Sequence, residues 1–322
     1  MRIAVLGGNG HLCSALQHEL RNCGLVVAAG RESADLENRK QLRSYLRTLA
    51  PDVIVNAAAY TNVDGAEAEP RLAKIINGVA PGIIAEEALR AQAVLFHFST
   101  DYVFDGKKRE PYLECDSTAP LNTYGETKLL GEKAIEKVGG AYLIFRTGWV
   151  FSQAGENFLR RILRSAQEKK ELKIVSDQVG VPTSACALAQ ATRGVLQKLQ
   201  ADAHNRGMRL YTAAKRASGI YNTVCAGQGS WHDFASAVVE FARSTPLRNG
   251  LRVERLVPIS RDQVPSKAKR PAYSVLATNK LQARFAIDLP HWRSCVELTL
   301  MGMTQFTSGA TTRASAFVPK SC

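Results

Sequence analysis

Five short apolar runs fill the first half of the chain, at Arg2–Leu6, Leu25–Ala29, Asp52–Ala59, Val94–Phe98 and Tyr142–Arg146. Segments of helical period separate them, through Leu16 and Leu20, from Gln41 to Leu49, from Arg71 to Gln92 and from Leu121 to Val138. Runs this short, without apolar–polar alternation, are strands buried on both faces. Strands that alternate with helices form a parallel sheet covered on both sides, so the expectation is an α/β doubly wound sheet. Pro81-Gly82 should break or kink the third helical segment.

The first strand runs into Gly7-Gly8-Asn9-Gly10-His11-Leu12-Cys13 and then a helix. Such a turn brings backbone N–H groups at a helix start against a pyrophosphate, where the helix dipole favours an anion. Gly7 and Gly10 supply the close approach. The spacing G-x-x-G-x-x-G puts Cys13 where a third glycine would stand, and a small side chain there permits binding, at some cost in affinity. The fold is therefore Rossmann-like, with a dinucleotide-binding domain over 1–150. A smaller C-terminal α+β lobe over 151–303 carries the substrate, segments near 185–225 return to the first domain, and a Ser/Thr-rich disordered tail covers 304–322. Within that second half a helix is expected over Ala185–Leu199 and a weakly patterned connection over Ala201–Ser218.

The second strand ends at Gly30-Arg31, where dinucleotide folds address the adenosine ribose. Arg31 can pair with a 2′-phosphate, which selects NADPH over NADH; the competing reading is a surface arginine after a strand. Asp35-Leu36 follow as an adenine-side loop. Ala57, Ala58 and Ala59 leave room for a planar cofactor against the backbone, and Tyr60 to Asp64 form a loop at the same edge.

Ser99-Thr100-Asp101 lie just past the fourth strand, at the carboxyl edge where open parallel sheets bind ligands. Tyr124 and Lys128 stand four residues apart and share a helix face. A phenol titrates near ~10 in water, and an adjacent ammonium would make it a usable acid near neutrality. By itself the pair reads as packing. Beside a strand ending in hydroxyls and a glycine turn it reads as chemistry.

Formal charge is +13, but Lys and Arg are scattered over the chain's 322 residues, with no helix-turn-helix or zinc-finger pattern. Phosphorylated metabolites fit this better than nucleic acid. No apolar run reaches membrane-spanning length, and the N-terminus enters a strand without a signal-peptide pattern, which points to the cytoplasm. Seven widely spaced cysteines form no C-x-x-C pair, suggesting reduced thiols and no metal.

Val55 to Asp64, Ser99 to Gly106, Pro120 to Lys128, Arg146 to Phe151, Asp177 to Thr183 and Arg270 to Ser274 together resemble the extended short-chain dehydrogenase/reductases and, within them, the dTDP-4-dehydrorhamnose reductase family, over about Met1 to Leu300. The resemblance implies catalysis by Thr100, Tyr124 and Lys128. It implies a cofactor lined by Gly10, His11, Leu12, Asp35, Leu36, Ala59, Tyr60 and Thr61, and a nucleotide sugar approached by Val63, Asp101 and Trp149. Thr100 and Tyr124 would hydrogen-bond the C4 ketone oxygen while reduced nicotinamide supplies hydride. Trp149 alone reads as core; after a strand end it can wall a deoxysugar. Arg270 reads equally as a diphosphate partner or a solvated loop residue, and His232 as a helix-start residue. Gly148 stands where many relatives have serine. Ala15 and Cys186 occupy two positions where some relatives bridge a dimer through magnesium, so that metal and that dimer are not carried over, and a homodimer of another kind stays open. The rival readings are a nucleotide-sugar epimerase or dehydratase with the same Tyr and Lys, and a non-catalytic NADP-binding regulator like the methionine adenosyltransferase β-subunit.

Overall fold

The computed structural model describes residues 1–8 and 10–308 of the chain. Strands β1 (Arg2–Leu6), β2 (Leu25–Ala29), β3 (Val53–Asn56), β4 (Val94–Thr100) and β5 (Tyr142–Thr147) share one sheet with a sixth strand, Gly219–Asn222. The order is Gly219–Asn222, β5, β4, β3, β1, β2, and every pairing is parallel. The connections from β1 leave in opposite directions, to β2 on one side and onward to β3 on the other. That reversal opens a crevice beyond the carboxyl ends of β1 and β3.

Alternate residues of each strand feed two separate cores. Ile3, Val5, Val53, Val55, Phe96 and Phe145 pack beneath the helices His11–Leu20 and Ala185–Asn205. Ala4, Leu6, Ile54, Leu95 and Ile144 face the other way, against Arg39–Leu49 and Ala80–Ala91 and against Ile135 of the helix Thr123–Val138. Each fully buried Leu or Ile contributes about 2 kcal/mol, and the two-sided burial explains why the strand sequences show no alternation.

The expected break at Pro81 is an adjustment of helical pitch. A helical turn at Pro70–Ala73 passes into a π-helical segment, Lys74–Val79, and resumes as Ala80–Ala91 with Pro81 in its first turn. A proline there lacks only an N–H that a wide turn leaves unused. The same segment lies close against the helix Thr123–Val138: a Cβ on Gly131 would stand 2.1 Å from the Asn77 carbonyl oxygen.

The first of the two cores continues into the second half, where Phe234 of the helix Trp231–Arg243 meets Phe151, Phe158 and Trp292. The strands Glu171–Val175 and Arg255–Ile259 pair in parallel beside it. The helix expected over Ala185–Leu199 continues to Asn205, and a further helix, Leu210–Arg216, occupies the stretch read as an unpatterned connection. Ala213 and Ala214 anchor it, while its exposed basic residues dilute the apolar period. The last helix, Trp292–Ser308, covers the beginning of the expected tail, whose remainder lies outside the described residues.

Candidate active site

A cavity of about 870 Å³ lies along the carboxyl edge of the sheet. At one end Gly7 and Gly8 both donate to the Ala29 carbonyl oxygen, at 3.0 and 2.8 Å, which turns the chain out of β1. Gly7 has φ +131°, and a Cβ there would stand 3.2 Å from the Ala57 backbone, so only glycine fits easily. The helix His11–Leu20 begins with no side-chain cap and no acidic residue in its first turn. Its leading N–H groups thus face the cavity without an internal acceptor, as a bound diphosphate requires. Cys13 is 1 % exposed and belongs to the core rather than the cavity wall, so the thiol does not obstruct this cradle.

Gly10, His11 and Leu12 line the same end, and Arg31, Asp35 and Leu36 line its far corner. Arg31 has a highly exposed side chain, with Glu37 3.9 Å away as its ion partner. Ala59, Thr61 and Val63 form the middle wall. Tyr60 differs from the expectation: it is absent from the wall, its ring packs on the second core, its hydroxyl donates to Glu69 and its N–H donates to Asn77. Adjacent residues of an irregular loop point in different directions, and here Asn77 selects which one turns inward.

At the other end the sheet delivers Thr100 and Asp101 from β4, and the helix Thr123–Val138 delivers Tyr124 and Lys128. Asn122 caps that helix through Gly125 N–H at 2.8 Å and also donates to the Lys269 carbonyl at 2.7 Å, which ties its start to the second half. Thr100 Oγ1 donates to Asp101 Oδ1 at 3.1 Å beside Tyr124; burial pushes the Tyr124 phenol up to about 12, Thr100 draws it down and Asp101 raises it further. Lys128, 1 % exposed, donates to the Phe98 carbonyl oxygen at 2.6 Å. Burial pushes its ammonium down to about 8 against the pull of Glu132. The cation expected to acidify Tyr124 is therefore turned onto β4 in this arrangement, and the phenol is a firmly protonated donor.

Asp101 is 2 % exposed and held up at about 6 by burial, against hydrogen bonds with Ser274 and Thr100. Gly148 leaves room for it, since a Cβ at that position would lie 2.7 Å from the Asp101 carboxyl carbon. Trp149 lines the cavity, with φ +49°. Its ring stacks on Trp231, which in turn meets Phe158 edge-on at 4.5 Å. Arg270 also reaches the cavity wall and is paired with Asp64 at 2.7 Å, so it is neither solvated nor free.

Sequence reasoning missed Trp231, Phe158, Arg161 and Glu32 as cavity residues. The first two look like ordinary apolar helix-start residues, and only tertiary packing turns them toward the site. Glu32 folds back onto its own turn, accepting the Gly30 N–H at 3.1 Å. A further contact joins the start of the first helix to the loop after Phe151: His11 meets the Glu156 carbonyl oxygen and the Ser152 hydroxyl, each at 3.1 Å.

The model of the RmlD substrate binding domain matches residues 1–305. The dTDP-4-dehydrorhamnose reductase of Burkholderia thailandensis is 46 % identical over 298 residues, covering 92 % of this chain and 97 % of that protein. The chain belongs to the dTDP-4-dehydrorhamnose reductase family. Among solved structures, the family member from Clostridium acetobutylicum superposes with a TM-score of 0.82 at 30 % identity, covering 94 % of this chain and all of that one. The enzyme from Bacillus anthracis, solved in complex with NADP, gives 0.81 at 29 % identity over 94 % and 99 % of the two chains. Each of these two superpositions covers 94 % of this chain. Among the described residues, no helix is long and apolar enough to cross a membrane.

Proposed function

We propose that this chain is an NADPH-dependent oxidoreductase that reduces the C4 ketone of dTDP-4-dehydro-L-rhamnose to dTDP-L-rhamnose. The observation that carries this is one cavity with an uncapped glycine-rich helix start at one end and the hydroxyls of Thr100 and Tyr124 at the other. Family membership over residues 1–305 supports the same substrate class, and the NADP complex of the Bacillus anthracis relative supports the cofactor.

Gly7, Gly10, His11 and Leu12 would hold the diphosphate, Arg31 the 2′-phosphate, and Asp35, Leu36, Ala59 and Thr61 the adenosine side. When bound, the reduced nicotinamide supplies hydride. The protein's own part is acid catalysis and positioning. Tyr124 gives its proton to the ketone oxygen as negative charge develops there, and Thr100 donates a hydrogen bond to the same oxygen. Lys128 holds the ribose. Val63, Asp101 and Trp149 contact the sugar, with Trp149 as the apolar wall. Arg270, kept in place by Asp64, takes the diphosphate of the substrate. The part of the chain beyond residue 150 is the substrate-binding lobe in this reading.

The test is NADPH absorbance with the purified protein and dTDP-4-dehydro-L-rhamnose. Wild type should consume NADPH stoichiometrically with dTDP-L-rhamnose formed, and Tyr124→Phe should be slower by on the order of 10²-fold or more while still binding NADPH. Binding of NADPH without its consumption by wild type would sink the reductase reading.

A further inference from the structure

Lys128 ends in a buried chain of side chains that the mechanism above does not use. Asn56, the last residue of β3, and His97, in the middle of β4, are each 1 % exposed, as is Lys128. Asn56 Nδ2 lies 3.0 Å from His97 Nδ1, and His97 Nε2 lies 3.4 Å from Lys128 Nζ. The direction of the Asn56 amide is set from outside this chain, because its Oδ1 accepts the Ala58 N–H at 3.2 Å.

Donor counting then orders the protons. An amide nitrogen only donates, so Asn56 makes His97 Nδ1 the bare, accepting nitrogen. A neutral imidazole carries one proton, which must sit on Nε2 and point at Lys128. His97 is neutral because its complete burial holds it well below its ordinary range. An ammonium has donors only and cannot accept that N–H, whereas a neutral amine accepts it with its lone pair and still donates to the Phe98 carbonyl. The His97–Lys128 contact pairs a donor with an acceptor only for the amine.

The other charges near Lys128 do not reverse this. Glu132, on the same helix, is committed to Arg146 of β5 at 3.0 and 2.7 Å and accepts from Ser99. Tyr124, one turn earlier, is a neutral phenol. The segment Lys74–Val79 meets this helix through Asn77, which is uncharged.

We infer that His97 is a positioning residue of the reductase reaction: its Nε2–H opposes protonation of Lys128 and favours the neutral amine until hydroxyl acceptors reach this side of the site. The inference rests on the reading of Lys128 as the ribose-holding group. Tighter proton binding by Lys128, with the proton drawn from solvent, then accompanies cofactor binding, so the cation beside Tyr124 is favoured in the loaded enzyme.

The experiment reads Lys128 directly, as the pH dependence of its ¹³Cε and ¹⁵Nζ resonances in the full-length cofactor-free protein, assigned by their loss in Lys128→Arg. His97→Leu removes the opposing donor, and Asn56→Asp supplies an acceptor that moves the imidazole proton to Nδ1. Both should raise the Lys128 midpoint by one pH unit or more, about tenfold in proton affinity. His97→Gln can accept from Asn56 with its oxygen and present its NH₂ to Lys128, and should stay within about half a unit of wild type. An unchanged midpoint in His97→Leu and Asn56→Asp, or a rise in His97→Gln as large as in His97→Leu, overturns the inference. Should one variant fail to fold, the other two are read by the same criteria. Adding NADP⁺ to wild type should raise the midpoint; a spectrum wholly unaltered by NADP⁺ counts against the cofactor reading and leaves the cofactor-free result for His97 standing.

Discussion

The indole rings of Trp149 and Trp231 lie face to face, with centroids 3.5 Å apart and planes 3° from parallel. Trp149 pays for a left-handed backbone with roughly 1 kcal/mol or more, and the stack is of a size to offset it. Trp231→Ala should therefore let Trp149 leave its position. The expected result is a KM for the sugar nucleotide raised about tenfold, with NADPH affinity unchanged and Trp231→Phe close to wild type. Steady-state kinetics together with a cofactor titration check this.

Arg31 stands at the far corner of the cavity with its ion partner, Glu37, 3.9 Å away. It has charge to spare for a 2′-phosphate. Arg31→Ala should weaken NADPH binding about tenfold and change NADH binding less than twofold, measured by equilibrium titration of each cofactor. Equal losses for both would assign Arg31 to the surface.

Burial raises Asp101 to about 6 from its ordinary value of 3.8. Its native pKa lies above its unfolded one, so the folded protein binds the proton more tightly and stability falls as pH rises through that window. At pH 8 the buried carboxylate costs on the order of 3 kcal/mol. Asp101→Asn should melt higher than wild type at pH 8, and the difference should shrink as pH falls from 6 toward 4, by thermal melts across that range.

Glu87 shows the opposite sign. Arg47 and Arg43 hold this carboxylate down at about 2, and Arg90 adds a third contact at 3.2 Å. The stabilisation is complete above its ordinary value of 4.5 and is lost as pH falls through about 2. Glu87 is buried but its arginines are part-exposed, which puts the loss in Glu87→Gln at about 2 kcal/mol at pH 7. Chemical denaturation at pH 7 and pH 3 should show the gap narrowing.

β1, β3, β4 and β5 were legible because both faces of each are buried, leaving uninterrupted apolar runs such as Val53-Ile54-Val55, and the edge strand β2 was legible because it keeps an apolar run although half-exposed. Tyr124 and Lys128 were legible as sharing a helix face, and Thr100 as a strand-end hydroxyl. What Lys128 touches was not, since His97 reads as one polar residue inside an apolar run and its partners Asn56 and Lys128 are 41 and 31 positions away. Trp231 was hidden for a similar reason: a helix period shows that a face is apolar, not which cavity it meets. Leu210–Arg216 escaped because its short helix carries basic residues through its last turn. The inward turn of Thr61 rather than Tyr60 depends on Asn77, seventeen residues later.

The sixth strand, Gly219–Asn222, pairs with β5 although more than seventy residues separate them. A fragment ending near residue 150 would keep the glycine turn but leave one whole edge of β5 without a partner, open to pairing with another chain. Cofactor binding and solubility are thus linked through a segment that touches neither the cofactor turn nor the Tyr124 helix start, and a useful cut or fusion point for this molecule lies outside the interval those two strands enclose.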